Sequence, residues 1–152
     1  MTNEMLIQIA VAAVGALGYG LLFHVSGGRL LTILFGGAAN WGFYLLALHL
    51  HGDRVTAFFL SALATAALAE ILARLLKTPV ITLLVPILTP LIPGGDLYYT
   101  TLALVQGDMP AFTQYGTLVL KESGAISCGI ILIACVVQTT TKLLALKNDK
   151  KA

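Results

Sequence analysis

The residues that could do chemistry in this chain are few. Asp96 closes a Pro93-Gly94-Gly95-Asp96 run, Glu70 stands four residues before Arg74, and Lys121 and Glu122 are adjacent. Three histidines (His24, His49, His51) and two cysteines (Cys128, Cys135) complete the set. Paired-carboxylate hydrolysis, which intramembrane aspartyl proteases perform from a Gly-x-Gly-Asp element, is not expected. Pro93 replaces the first glycine, and no second buried aspartate is foreseen to share a proton. His24 and Ser26 lack a third partner and a Gly-x-Ser-x-Gly elbow. The histidines have no carboxylate or thiolate at ligand spacing, so no metal site is expected. The cysteines, seven apart on one expected helix, lie roughly 10 Å apart, beyond disulfide reach. With no Walker motif either, no cofactor and no enzymatic reaction are expected.

What remains is ionisable groups at membrane depth, which invite a functional reading. Asp96 reads either as a cap on a helix at a chain break or as a group at the mouth of a half-helix, beside a substrate or ion path. Glu70 reads as the partner of Arg74, the favourable i, i+4 order, with an ion- or proton-linked role as its sharper alternative. Lys121 and Glu122 read as structural residues at the outer membrane interface.

These groups need a scaffold, and the composition says which kind. The 152 residues are 58% hydrophobic and 11% charged, with a mean hydropathy of +0.92. Soluble domains carry about a quarter charged residues, and the sixteen here, nine basic and seven acidic, cluster at segment ends. A soluble enzyme, a secreted disulfide domain and a nucleic-acid-binding module are excluded. A span needs about twenty apolar residues. Leu6 to Phe23, Leu30 to Leu50, Val55 to Ala73 and about Thr117 to Thr141 satisfy that requirement. The first run shows no clear cleavage site and is expected to stay as an anchor. Small residues at helical spacing (Ser61, Thr65, Ala69 and Ala73, with Ala62 and Ala66 beside them) predict close helix packing.

The stretch 78–106 is irregular. Pro79, Pro86, Pro90 and Pro93 each remove a backbone donor, and Gly94-Gly95 permits a reversal. A discontinuous helix is predicted, its second half running from Leu97 to Gln106 with Asp96 or Gly95 as cap. The carbonyls of Thr82, Pro86 and Thr89 should be freed, and the amides at the start of the second half left unpaired. Transporters present such groups to substrate carboxylates and cations at the midplane. Pro86, Pro90, Pro93, Gly94, Gly95, Asp96 and Tyr98 are therefore the candidate substrate path, with Asp96 and Glu70 as candidate ion- or proton-linked groups.

If the broken segment crosses once in net, the chain crosses five times. Arg29, Arg74, Lys77, Lys142, Lys147, Lys150 and Lys151 then share one side, against Arg54 and Lys121 on the other. The positive-inside rule puts the seven in the cytoplasm, with the N-terminus out and the C-terminus in. A re-entrant segment would reverse that bias. The expectation is an all-α, polytopic helix bundle forming one membrane domain over 1–152, with a basic cytoplasmic tail at 142–152.

The run Lys77-Thr78-Pro79, then Leu84-Val85-Pro86-Ile87-Leu88-Thr89-Pro90-Leu91-Ile92-Pro93-Gly94-Gly95-Asp96-Leu97-Tyr98, then Ala103 to Asp108, resembles the second domain of the threonine/serine exporter family. Phe23-His24-Val25 and Arg29-Leu30 resemble that family's first loop. The resemblance implies a bacterial inner-membrane export system for small hydrophilic metabolites, threonine and serine or a carboxylate such as succinate. It also implies a larger exporter-family membrane subunit as partner and a hetero-oligomer in the lipid bilayer. No nucleic-acid partner is expected. Export would be driven by an ion gradient. A non-transporting scaffold or assembly subunit is the rival reading.

Overall fold

The computed structural model describes residues 3–149, with side chains described to residue 143. The expected tail residues Lys150 and Lys151, and the side chain of Lys147, lie outside that description. Six α-helices and one 3₁₀ turn follow in order: α1 (Asn3–Leu22), α2 (Gly28–His51), α3 (Arg54–Leu75), α4 (Val80–Leu88), the 3₁₀ turn (Thr89–Leu91), α5 (Gly94–Gln106) and α6 (Met109–Asp149). Four helices are long and apolar enough to cross a membrane, and α4 with α5 makes a fifth such segment bent by 59°. The all-α bundle and the broken fourth segment are as the sequence predicts.

Local chemistry sets the helix ends. Asp53 accepts hydrogen bonds from the Thr56 amide (2.8 Å) and hydroxyl (2.7 Å), capping α3. Those two donors hold the exposed Asp53 carboxyl below its ordinary range. The last helix starts at Met109, well before the expected Thr117. Asp108 accepts the Ala111 amide at 3.1 Å, and Pro110, which has no amide to leave unpaired, suits a first turn. Polar residues that lower the hydropathy here are thus helix-starting residues.

Packing depends on the small-residue faces. Ser61, Ala62, Thr65, Ala66, Ala69 and Ala73 are all buried on α3. A side chain on Gly129 of α6 would meet the Phe59 carbonyl and the Leu63 amide at 3.0 Å, so only glycine lets the two backbones approach this closely. At Gly36 of α2 an added Cβ would come within 2.5 Å of Ile87 in α4. With these contacts Ala16, Ile33, Ala73, Leu83 and Ile87 form one core cluster. Tyr44, Ala47, Ala57, Phe58, Ala62 and Leu91 form a second.

The long last helix relates the two ends of the bundle. Glu122 lies beside Arg54 at the start of α3, Gly129 beside Phe59 and Leu63, and Thr141 accepts from Arg74 at 3.4 Å. From Glu122 onward α6 therefore runs parallel to α3. Its earlier part pairs with α5: Thr100 packs on Gly116, and the Tyr99 and Tyr115 rings stack at 5.4 Å. The 41 residues of α6 extend about 60 Å, roughly twice the hydrocarbon thickness of a bilayer. The α5–α6 hairpin thus continues past the N-terminal end of α3. Leu97, Tyr98, Leu104, Val105 and Met109 are exposed on it.

Candidate functional site

The break is made by two residues. Ile92 is extended (φ −62, ψ 128), and Pro93 (φ −74, ψ 59) is the residue preceding α5. The expected reversal at Gly94-Gly95 does not occur. Both are the first residues of α5, neither has a positive φ, and a Cβ on either would meet nothing within 4 Å. Asp96 is not the cap either. It lies inside the first turn, and its carboxylate is 2.6 Å from Arg54 Nη2. A negative group there is favoured by the helix dipole as well as by the guanidinium.

Two of the three carbonyls expected to be free are occupied. The tighter turn after α4 lets the Thr89 amide donate to Pro86 and the Ile92 amide donate to Thr89 at 3.1 Å. A different carbonyl needs help. Ile87 precedes Pro90 by three residues, so the matching 3₁₀ donor is absent, and Asn40 Nδ2 from α2 donates to it at 2.9 Å. The Asn40 side-chain oxygen in turn accepts from Ser61 (3.0 Å) and Thr65 (2.9 Å), while Ser61 also donates to the Asn40 carbonyl at 2.8 Å. All three side chains are fully buried, so this network braces the break from two other helices.

The bend encloses a pocket of about 220 Å³. Pro90, Pro93, Gly94, Gly95 and Asp96 form one wall, Trp41, Tyr44, Phe58 and Tyr99 the aromatic walls, and Arg54 the charged edge. Pockets for drug-sized ligands run about 300–1,000 Å³, so this one suits a small metabolite. A wider groove of about 400 Å³ lies between α1 and the break, lined by Ile7, Val11, Trp41 and Pro90. It has no charged lining, and the smaller pocket is the one with convergent polar groups.

The site therefore gathers most of the expected path, but not all. Pro86 is buried inside α4 and does not line the pocket. Tyr98 is 63% exposed and meets Tyr99 edge-on at 5.4 Å, outside it. Glu70 lies with Arg74 (3.8 Å) at the far end of α3.

Glu122 lies level with the start of α3 but is not a surface residue. It is fully buried, and its Oε1 is 2.9 Å from the same Arg54 Nη2 that holds Asp96. That contact is an ion pair without hydrogen-bond geometry, and neither Glu122 oxygen has a hydrogen-bond donor. The second carboxylate missing from the expectation is thus a glutamate, with a guanidinium shared between the pair. Arg54 and Asn40 were not singled out from the sequence, and Glu122 was read as structural only. A carboxamide in mid-span, and opposite charges at the same end of two spans, were the available signals.

A family model described as Threonine/Serine exporter, ThrE, matches residues 8–136. The chain belongs to this exporter family. No curated protein and no solved structure matches it. The match covers α1 to most of α6 and takes in the whole break, Asn40, Arg54 and Glu122. Membership in the threonine/serine exporter family and the run of apolar helices describe a multi-pass membrane protein of transporter type.

Proposed function

We propose that this chain is a subunit of an inner-membrane exporter of small hydrophilic metabolites, with the pocket at the α4–α5 break as its substrate site. The observation that carries this reading is the convergence of three kinds of group on one small pocket. Arg54 supplies a guanidinium, the side chain suited to a carboxylate. The first amides of α5 point along a favourable dipole for an anion. Asp96 offers a carboxylate to an ammonium group. Threonine and serine carry both complements, and a dicarboxylate such as succinate only one.

A larger membrane subunit of the same family is the proposed partner. The support is the exposed apolar surface of the α5–α6 hairpin, which lies beyond the length of α3 and has no cover from the described residues. Orientation follows the basic residues, with the N-terminus out and the C-terminus in, in a bacterial inner membrane.

Efflux of radiolabelled L-threonine, L-serine and succinate from proteoliposomes tests this, using the chain alone, the larger subunit alone and both together. Efflux that needs both supports the reading. Efflux from this chain alone removes the partner requirement, and undiminished efflux from the larger subunit alone makes this chain a scaffold.

A further inference from the structure

The Arg54–Asp96–Glu122 cluster holds two carboxylates and one guanidinium, and both carboxylates address a single nitrogen of it. Asp96 lines the pocket with its side chain 12% exposed, while Glu122 lies directly behind with none exposed. Contact with the same nitrogen, at 2.6 and 2.9 Å, brings the two carboxylates close together, and two ionised carboxylates offer each other only acceptors. The charged and titratable groups facing Glu122 are Arg54 of α3, Asp96 of α5 and Tyr44 of α2. Lys121, its neighbour in α6, is exposed. With both carboxylates ionised the cluster has an excess negative charge at a position closed to water. Like charges this close do not both stay ionised without a further cation.

We propose that Asp96 and Glu122 form a site for one exchangeable cation: a proton when the pocket is empty, and the ammonium of an α-amino acid when it is filled. This deepens the exporter reading and rests on it. In the empty state Arg54 neutralises Asp96, and Glu122 holds a proton. The incoming ammonium takes Asp96. Arg54, already 2.9 Å from Glu122 through Nη2, becomes that residue's counter-charge while its other N–H groups stay free for the substrate's carboxylate, and the Glu122 proton leaves by way of the pocket that Asp96 lines. Among the three side chains and the ammonium one positive charge replaces another, while the substrate's own carboxylate is held separately, by the remaining N–H groups of Arg54 and the N-terminus of α5. Proton and substrate exclude each other, which is the condition for exchange of the two in opposite directions. The substrate class is then zwitterionic, since a dicarboxylate brings no ammonium.

The test uses the full chain in lipid nanodiscs, followed by infrared spectroscopy from acid to mildly alkaline pH. A protonated-carboxyl band should be present, titrate, and be absent in E122Q. Adding L-threonine should bleach the band and release one proton for each molecule bound. Succinate should leave it intact. Should E122Q fail to reach the membrane, D96N serves instead, because it leaves Glu122 paired with Arg54 and should also lose the band. The absence of any E122Q- or D96N-sensitive band overturns the proposal, whatever transport assays show. Retention of radiolabelled L-threonine on the same samples separates the two readings. Retention with an unchanged band removes the cation exchange alone. A lack of retention, with or without a larger subunit, removes the amino-acid pocket and the exchange together.

Discussion

Arg54 is the residue on which the site's electrostatics depend. It is half exposed, and in the empty pocket, with Glu122 protonated, its charge partner is the largely buried Asp96, so removing the guanidinium leaves Asp96 uncompensated in a nearly closed position. Breaking a fully buried pair costs about 3–5 kcal/mol. For a partner open to solvent on one side, about 1–3 kcal/mol is the better expectation. R54Q should therefore lower the melting temperature of the purified protein. Adding D96N removes the orphaned charge and should recover part of that loss, leaving only Glu122, which holds its proton. Transport should not recover with it, since the carboxylate-binding group remains absent. If R54Q melts like wild type, or the double variant melts below the single, the shared guanidinium is not what stabilises the cluster.

The broken segment shows how an element can be legible while its workings are not. Four prolines in an apolar stretch announced the discontinuity and its rough place. The all-α bundle, the span positions and the buried face of α3 were equally legible, because hydropathy and small-residue spacing are local properties. What stayed hidden was long-range. The sequence assigned the reversal to Gly94-Gly95 and the free carbonyls to Pro86 and Thr89. A 3₁₀ turn satisfies those carbonyls locally, and it transfers the need to Ile87, which Asn40 meets from another helix. The pairing of Glu122 was hidden for the same reason, since Arg54, which it shares with Asp96, is 68 positions away by its numbering. Replacing Asn40 by Leu should strand the Ile87 carbonyl and the Thr65 hydroxyl, while Ser61 keeps the backbone carbonyl of residue 40, at about 1–3 kcal/mol. A thermal melt in detergent should show the loss, with S61A giving a smaller one. Gly94 and Gly95 make the complementary case. Since a Cβ at either position meets open space, the G94L/G95L double variant should fold and insert at normal levels while its side chains occupy the pocket and abolish export. Full export at normal protein levels would make the break architectural only.

The whole chain can be followed from one end of the bundle to the other through α6. Its residue Thr141 lies beside Arg74, where α3 ends, and its residue Glu122 lies beside Arg54, where α3 begins. Asp108 is farther along the same direction, at the tip of the hairpin formed with α5. The segment from Lys77 to Asp108 thus starts at one end of α3 and finishes past the other. A re-entrant loop would bring Asp108 back to the Lys77 end. The charge distribution points the same way, since only a net crossing gathers Arg29, Arg74, Lys77 and Lys142 on one side with Arg54 and Lys121 on the other. Packing and charge are independent observations, and five crossings, as proposed, fit both. A reporter active only in the periplasm should accordingly be active when inserted beside Asp108 and silent when fused after Ala152. A reporter active only in the cytoplasm should give the reverse pattern. Periplasmic activity at Ala152, or cytoplasmic activity at Asp108, would mean that the α5–α6 hairpin folds back into the bundle within the membrane. The pocket at Arg54 would then open toward the opposite side from the one its position beside the α2–α3 turn implies.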